Sequence, residues 1–225
     1  LPLTGGYHMN LMKAESPGPS VSKLVPKVQS TAKILYTIYI ILTIVEIIFL
    51  LIGKMPLFDT LCLSFGTAGT GGFGIKNDSI ASYSTYNQVV ITVFMILFGI
   101  NFNAYYLLLT KKVMQAAKNE EVRYYLGIIG LAIVAIAINT REMFTSFGRA
   151  FQQAAFQVGS IITTTGYATT DFNVWPVFSK TILVILMFVG ACAGSTGGGI
   201  KVSRLLILCK SARKELQLYL HPNAV

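Results

Sequence analysis

The chain has 225 residues, of which 53% are hydrophobic and 12% are charged, whereas about 25% of an average soluble domain is charged. The net charge is +9, yet the basic residues punctuate long apolar stretches instead of covering a polar face. This composition excludes an ordinary soluble domain and argues against a nucleic-acid-binding protein. We therefore interpret the charge as the orientation signal of a membrane protein.

Four apolar segments, taken in chain order, predict membrane-spanning helices. A helix needs about 20 predominantly apolar residues to cross the core of a bilayer. The segments that meet or approach this length are residues 34–53, 86–110, 124–140 and 181–208. Only the last is interrupted, by the GSTGGG run at residues 194–199, so we expect one broken helix among the four.

A shorter apolar segment and a loop rich in Gly and Thr follow the first and the third predicted spans. The first short helix runs from Met55 to about Gly66 and leads into GTAGTGGFG, and the second covers residues 146–162 before TTTGYATTDF. One offset of 94 residues places Thr164 on Thr70, Gly166 on Gly72 and Tyr167 on Phe73. The chain therefore reads as two copies of a unit made of a helix, a short helix with its loop, and a helix.

Basic residues predict the orientation of the two copies. Thirteen of the 18 Lys and Arg precede the first span, lie between the copies or follow the glycine run, and five lie in the other connections. Because loops on the cytoplasmic side carry the excess of Lys and Arg, we expect the linker between the copies to be cytoplasmic. The two loops rich in Gly and Thr then enter the membrane from outside.

The two loops have the composition of a cation filter. Non-helical backbone at membrane depth is tolerated only where it is buried or lines an aqueous path, and glycine lets carbonyl groups converge on such a path. The short helices end at the loops, so their negative dipole ends favour a nearby cation. The simpler alternative is a pair of tight turns with no ion contact. The candidate filter residues are Thr70, Gly71, Gly72, Phe73, Thr164, Thr165, Gly166 and Tyr167.

The glycine run in the last helix predicts a movable constriction below the filter. A broken helix frees carbonyl and hydroxyl groups toward a pore, while the alternative is a packing break where another helix crosses. A phosphate-binding loop is excluded because Lys201 comes one position too late and Val202 replaces the required Ser or Thr. The candidate gate residues are Gly194, Ser195, Thr196, Gly197, Gly198, Gly199 and Lys201.

Other residues argue against catalysis and against a resident metal. The three cysteines and two histidines are far apart, and we find no constellation typical of an intramembrane enzyme, so we expect no enzyme and no zinc site. The residues Gly69, Gly71 and Gly74 spell GxGxxG without the strand that a dinucleotide site requires. Glu46 is a candidate for a functional intramembrane carboxylate, with a paired or snorkelling side chain as the alternative.

Several stretches resemble one transporter family. GACAGSTGGGIKVSR at residues 190–204, AESPGP at 14–19, STAKILYTIY at 30–39 and HPNAV at 221–225 resemble the TrkH subfamily of the TrkH/TrkG/KtrB potassium-transporter superfamily. The resemblance implies an all-α, potassium-channel-like fold of four repeats, each a helix (M1), a re-entrant pore helix with its filter loop (P) and a second helix (M2). The chain would supply the second and third repeats, an open half-ring.

The resemblance also divides the chain. Residues 1–32 would be the tail of the preceding repeat and a cytoplasmic connector, 33–110 an M1-P-M2 repeat, 111–123 a cytoplasmic linker, 124–220 a repeat with a broken second helix, and 221–225 the next connector. It further implies K⁺ as the transported ion, no organic cofactor, a multi-pass position in the inner membrane among lipids, and a homodimer. A cytosolic nucleotide-binding subunit like TrkA or KtrA would bind the inner face and would hold any ATP or NAD.

The sequence also departs from the family pattern. Gly74, Ile75 and Lys76 stand where members more often have small hydroxyl and acidic residues, and Lys76 would oppose a cation unless it points away or pairs with Asp78. Channel-like conduction and transport coupled to H⁺ or Na⁺ remain alternatives. So do a carrier for another cation or a small solute, and a non-conducting fragment.

Overall fold

The computed structural model describes residues 28–220. The predicted tail, most of the first connector and the segment 221–225 lie outside the described residues. The helices are α1 (Val28–Ile52), α2 (Leu57–Ala68), α3 (Thr85–Phe98), α4 (Phe102–Leu109), α5 (Val113–Ala117), α6 (Glu120–Asn139), α7 (Phe147–Ile162), α8 (Val177–Phe188) and α9 (Val202–Leu220). Two short 3-10 turns, Arg141–Met143 and Phe172–Val174, flank α7.

Residues 28–220 form no β-sheet, and two of their helices are long and apolar enough to cross a membrane. These helices are α1, through Ala32–Ile52, and α6, through Glu120–Asn139. The pair α3 and α4 would make a third span, bent by 91°. The helices α2 and α8 are apolar but shorter. Of the four predicted spans, the first and third are therefore continuous helices.

The second apolar segment differs from its prediction, because residues 86–110 do not form one helix. The helix α3 ends at Phe98, and α4 begins at Phe102 after Asn101, whose side chain accepts a hydrogen bond from the Asn103 amide at 2.9 Å. Gly99 also fits the bend, because a Cβ there would overlap the hydroxyl of the buried Tyr125. Asn101 is thus the N-cap of a new helix.

The break in the last segment is longer than the glycine run that predicts it. The helix α8 ends at Phe188 and α9 begins at Val202, so the break covers residues 189–201, and we call this segment the glycine-rich break. Its two ends lie side by side, since the Gly190 amide donates to the Ile200 carbonyl at 2.8 Å. The segment is therefore a closed loop between two helices.

Two apolar cores hold the helices, one for each half of the described chain. In the first half α1 packs on α2, α3 and α4, and in the second α6 packs on α7, α8 and α9. The halves join where α7 packs on α3, and the buried Tyr167 of the second half belongs to the core of the first. We call α1–α4 the first copy and α6–α9 the second copy. The loops after α2 and α7 meet at this junction.

Candidate functional site

The loops after α2 and α7 have the same backbone pattern at the predicted offset of 94 residues. We call residues 69–73 the first Thr-Gly loop and residues 163–167 the second. Three hydrogen bonds from a backbone amide to a backbone carbonyl occur at equivalent positions in both loops. In the first loop they run from Gly69 to Phe65, from Thr70 to Thr67 and from Gly71 to Gly66. In the second they run from Thr163 to Gly159, from Thr164 to Ile161 and from Thr165 to Ser160. The short helices α2 and α7 therefore end in the same way.

Both loops use the left-handed backbone region at equivalent positions. The φ angles are 49° at Thr70 and 58° at Thr164, and they are 67° at Gly72 and 90° at Gly166. A β-branched residue in this region costs of order 1–3 kcal/mol, and such strain is typical of functional sites. The same strain in both loops indicates that their shape is required.

Consecutive carbonyl groups in each loop accept no hydrogen bond from any described residue. They belong to Thr70, Gly71 and Gly72 in the first loop, and to Thr164, Thr165 and Gly166 in the second. Backbone carbonyls are strong acceptors that need a partner when they leave bulk water. Residues 28–220 contain no cluster of His, Cys, Asp or Glu that could hold a metal. These carbonyls and the threonine hydroxyls are the oxygen atoms that the two loops offer to a cation.

The surroundings of the two loops differ at the aromatic position. Tyr167 is fully buried, and its hydroxyl donates to the Leu63 carbonyl of the first copy at 3.2 Å. Its own carbonyl accepts a hydrogen bond from Ser160 Oγ at 2.6 Å. The equivalent Phe73 is 83% exposed. Gly66 stands where the second copy has Ser160, and a Cβ at Gly66 would overlap the Tyr167 hydroxyl. The first copy therefore packs around the second loop.

Ser160→Ala is expected to lower the free energy of unfolding by about 1 kcal/mol, because it removes the buried hydrogen bond to the Tyr167 carbonyl. Ser64→Ala is the matched control, since Ser64 is equally buried and its hydroxyl has no partner among the described residues. Thermal unfolding of the full-length protein in detergent measures both variants. Equal midpoints for the two would contradict the bond assigned to Ser160.

The glycine-rich break lies against both Thr-Gly loops. Thr70 Oγ1 shares its proton between the Gly69 carbonyl at 2.8 Å and the Thr196 carbonyl at 3.0 Å, and the Gly198 amide donates to Thr164 Oγ1 at 2.7 Å. Lys201, the last residue of the break, donates a hydrogen bond from Nζ to the Gly197 carbonyl within the break. The two strained threonines, one in each loop, therefore form side-chain hydrogen bonds with the break.

The glycines of the break allow this close approach. A Cβ at Gly198 would lie 2.9 Å from Thr164 Oγ1, and one at Gly197 would lie 3.1 Å from the Thr163 carbonyl oxygen. A Cβ at Gly190 would overlap the Gly198 carbonyl oxygen. The predicted gate residues 194–199 thus lie against the predicted filter residues, and larger side chains at these glycines would push the segment away.

The glycine-rich break also forms hydrogen bonds with the bend between α3 and α4. The Cys192 amide donates to the Gly99 carbonyl at 3.0 Å, and the Phe102 amide donates to the Gly194 carbonyl at 3.0 Å. The two interrupted helices, one in each copy, therefore satisfy each other's free backbone groups. Residues 99–101 belong to the site, although the apolar pattern gave no break there.

Glu121 is a second residue that the sequence did not single out. It lies in the first turn of α6, and its Oε1 accepts hydrogen bonds from the Ala193 amide at 2.6 Å and from the Ser203 amide at 3.3 Å. Its Oε2 accepts a hydrogen bond from Asn101 Nδ2 at 3.4 Å. One carboxylate thus contacts the glycine-rich break, the first turn of α9 and the bend after α3.

The sequence leaves alternative roles open for Glu46 and Lys76, and the structure shows which groups surround each of them. Glu46 is fully buried, which argues against a snorkelling side chain, and neither carboxylate oxygen has a hydrogen-bond partner within residues 28–220. Lys76 Nζ donates to Ser82 Oγ at 3.0 Å and lies 4.2 Å from the centre of the Tyr83 ring. The structure gives it no ion pair with Asp78 within residues 28–220. Lys76 is therefore directed to the loop before α3.

Two further polar contacts lie outside the loops and the break. Tyr83 donates to Asp59 Oδ2 at 2.8 Å, and burial, followed by this hydrogen bond, raises the pKa of its hydroxyl, which remains a donor at neutral pH. At the other end Lys210 pairs with Glu120, and this hydrogen bond raises the pKa of the Lys210 ammonium. Both members of the pair are exposed, so it contributes little stability.

Comparisons with known proteins show the family of the chain. The TrkH family model, described as a cation transport protein, matches residues 1–132 and 125–225. The chain is 35% identical over 230 residues to the Trk system potassium uptake protein TrkH of Salmonella typhimurium, with 100% of the chain and 48% of the relative covered. It is 37% identical over 233 residues to TrkH of Vibrio parahaemolyticus, again with 100% and 48% covered.

A solved structure has the same fold. The crystal structure of the potassium transporter TrkH from Vibrio parahaemolyticus matches with a TM-score of 0.85 and 34% sequence identity, over 96% of this chain and 47% of that chain. The chain thus spans about half the length of the curated relatives it matches.

Proposed function

The chain belongs to the TrkH family of cation transport proteins, and from this membership and the geometry of the loops we propose that it forms part of a potassium-uptake pore. Potassium uptake is the activity named for its relatives. The observation that carries the proposal is the free carbonyls of both Thr-Gly loops, at positions related by one offset. Carbonyl oxygens of this kind replace the hydration shell of K⁺ in a filter. The function is transport, not catalysis.

In this proposal the filter residues are the eight predicted from the sequence, Thr70 to Phe73 and Thr164 to Tyr167. The negative dipole ends of α2 and α7 point at these loops and favour a cation there. The glycine-rich break forms the gate, because it is hydrogen-bonded to Thr70 and Thr164 and so lies against the ion path. Residues 194–199 and Lys201 belong to this gate.

We also propose that the two copies are the second and third of four repeats, bounded at residues 33–110 and 124–220, with 111–123 as the linker. Tyr167 is covered by the first copy, whereas Phe73, at the equivalent position, is 83% exposed. An apolar ring at this position needs a cover, and a preceding repeat would supply it in the way that the first copy covers Tyr167.

The assembly proposed for the complete protein follows its relatives, which are named as components of a Trk system. We place it in the inner membrane with residues 111–123 on the cytoplasmic side, as a homodimer with a TrkA-like or KtrA-like subunit that carries the nucleotide. The basic residues Lys111, Lys112, Lys118 and Arg123 support this orientation.

The proposal is tested by ion flux in liposomes that contain the full-length protein. Rubidium, as a tracer for K⁺, is expected to enter along a K⁺ gradient, and K⁺ should compete with it more strongly than Na⁺ does. Equal competition by the two ions would contradict a potassium filter. Uptake of a small organic solute without rubidium flux would favour a carrier instead.

A further inference from the structure

We propose that Glu121 is the positioning residue that holds the glycine-rich break in its closed place, and that it couples this break to the linker between the two copies. The inference rests on the proposed function, because it assigns a role within the proposed gate. It starts from a carboxylate that accepts hydrogen bonds from three separate segments.

The two backbone amides that donate to Glu121 have no other hydrogen-bond acceptor among the described residues. The Ala193 amide lies in the break and the Ser203 amide lies in the first turn of α9, where helical amides have no partner within the helix. A negative charge is favourable at this end of a helix, and hydrogen bonds to an ionised acceptor are about twice as strong as neutral ones. The carboxylate therefore fixes where the break ends and where α9 begins.

The third contact connects the carboxylate to the bend in the first copy. Asn101 Nδ2 donates to Glu121 Oε2, while Asn101 Oδ1 accepts the Asn103 amide and so begins α4. A Cβ at Gly194 in the break would lie 3.3 Å from Asn101 Oδ1, so the break passes next to this side chain. The bend, the break and the start of α9 therefore share one acceptor, and loss of that acceptor loosens all three.

Glu121 is also attached to the linker. The Asn119 side chain accepts a hydrogen bond from the Glu121 amide at 3.0 Å and caps α6, directly after the segment 111–118. A displacement of this segment would therefore move the first turn of α6 and withdraw the carboxylate from the break. In this way an event on the cytoplasmic side would act on the gate inside the membrane.

The test measures the exposure of a cysteine in the break, which does not depend on ion flux. Cys192 is fully buried next to Ala193, and Cys209 is exposed and serves as the internal reference. Maleimide labelling of the full-length protein in liposomes is read peptide by peptide by mass spectrometry. In Glu121→Gln the Cys192 peptide should be labelled about fivefold faster than in the unaltered protein, because the charge-assisted part of three hydrogen bonds is lost.

Glu120→Gln is the matched control, because Glu120 precedes Glu121 in the same turn but is exposed and pairs only with Lys210. It should leave the labelling of Cys192 unchanged. Glu121→Asp keeps the charge on a shorter side chain and should give an intermediate labelling rate of Cys192. This variant also provides the test if Glu121→Gln does not fold. Equal Cys192 labelling in Glu120→Gln and Glu121→Gln would overturn the proposal.

Flux measurements separate this inference from the proposed function. If the break is the gate, Glu121→Gln should raise rubidium flux, and it should add nothing in a protein that already lacks residues 197–199. If the protein carries no rubidium at all, the proposed function fails while the labelling result still decides whether Glu121 holds the break. An additive effect in the deletion background would show that Glu121 acts elsewhere and would overturn the coupling.

Discussion

Gly72→Ala is expected to remove most potassium-selective flux from the full-length protein. The φ of Gly72 is 67°, and a Cβ at this position would overlap the Thr165 carbonyl oxygen of the second Thr-Gly loop. The backbone has to move, and it moves one of the carbonyls proposed to contact the ion. A shift that raises the barrier by about 1.4 kcal/mol lowers a rate about tenfold, and rubidium flux with K⁺ or Na⁺ as competitor measures it.

Gly166→Ala should also lower the flux, because Gly166 is the equivalent residue and its φ is 90°. Among residues 28–220 no atom lies within 4 Å of a Cβ built there, so the cost from these residues is backbone strain of about 1–2 kcal/mol. In the full-length protein the proposed fourth repeat would stand next to Gly166 as the second copy stands next to Gly72. Gly74→Ala is the control, since its nearest neighbour lies at an ordinary contact distance of 3.4 Å and its φ is not positive. Flux through Gly72→Ala equal to that of Gly74→Ala would contradict the filter assignment.

The surroundings of the two Thr-Gly loops show what the sequence could and could not predict. The register of 94 residues was predictable, because Thr and Gly at matching positions reflect a backbone shape that recurs with the same hydrogen bonds. The environment of each loop was not, since Tyr167 packs on the first copy while Phe73 is exposed. Local spacing determines local backbone shape, whereas burial depends on which copy is next to which.

The bend at residues 99–101 was missed for a different reason. The segment 86–110 has no charge, so its hydropathy favours one continuous helix. A signal was present, because Gly99 and Asn101 are typical of a helix end followed by a new N-cap. Within a long apolar stretch such residues are as compatible with a continuous membrane helix as with a break. The break is determined by the hydrogen bonds of Gly99 and Phe102 to the glycine-rich break, to residues that follow them by 93 and 92 positions in the chain.

Glu121 was not predictable as a site residue. Acidic residues in the first turn of a helix are common, since they stabilise the positive end of the dipole, and Glu120 and Glu121 both fit that explanation. Only the fold distinguishes them: Glu120 faces Lys210 on the exposed surface, and Glu121 faces the break. The contacts of Glu121 span more than 70 residues of sequence, and no local pattern encodes them.

Deletion of residues 197–199 is expected to raise potassium flux several-fold. The deletion removes the Gly198 amide that is bonded to Thr164 Oγ1 and the Gly197 carbonyl that is bonded to Lys201. It also removes the close approach of these glycines to the second Thr-Gly loop. A constriction that opens and closes differs in free energy between its two states by only a few kcal/mol, so the loss of two hydrogen bonds shifts its population substantially. Rubidium uptake into liposomes, normalised to the amount of folded protein, measures the change.

A substitution separates the effect of the break from a general loss of packing. Gly198→Ala should also raise flux, by a smaller factor, because its Cβ would lie 2.9 Å from Thr164 Oγ1 and would push the break away from the loop. Gly130→Ala is the matched control, since no atom of residues 28–220 lies within 4 Å of a Cβ on this glycine of α6, and it should leave flux unchanged. A gate that closes the ion path predicts higher flux in the deletion and in Gly198→Ala. Unaltered or lower flux in both, with normal folding, would instead make the break a structural element that supports the second Thr-Gly loop.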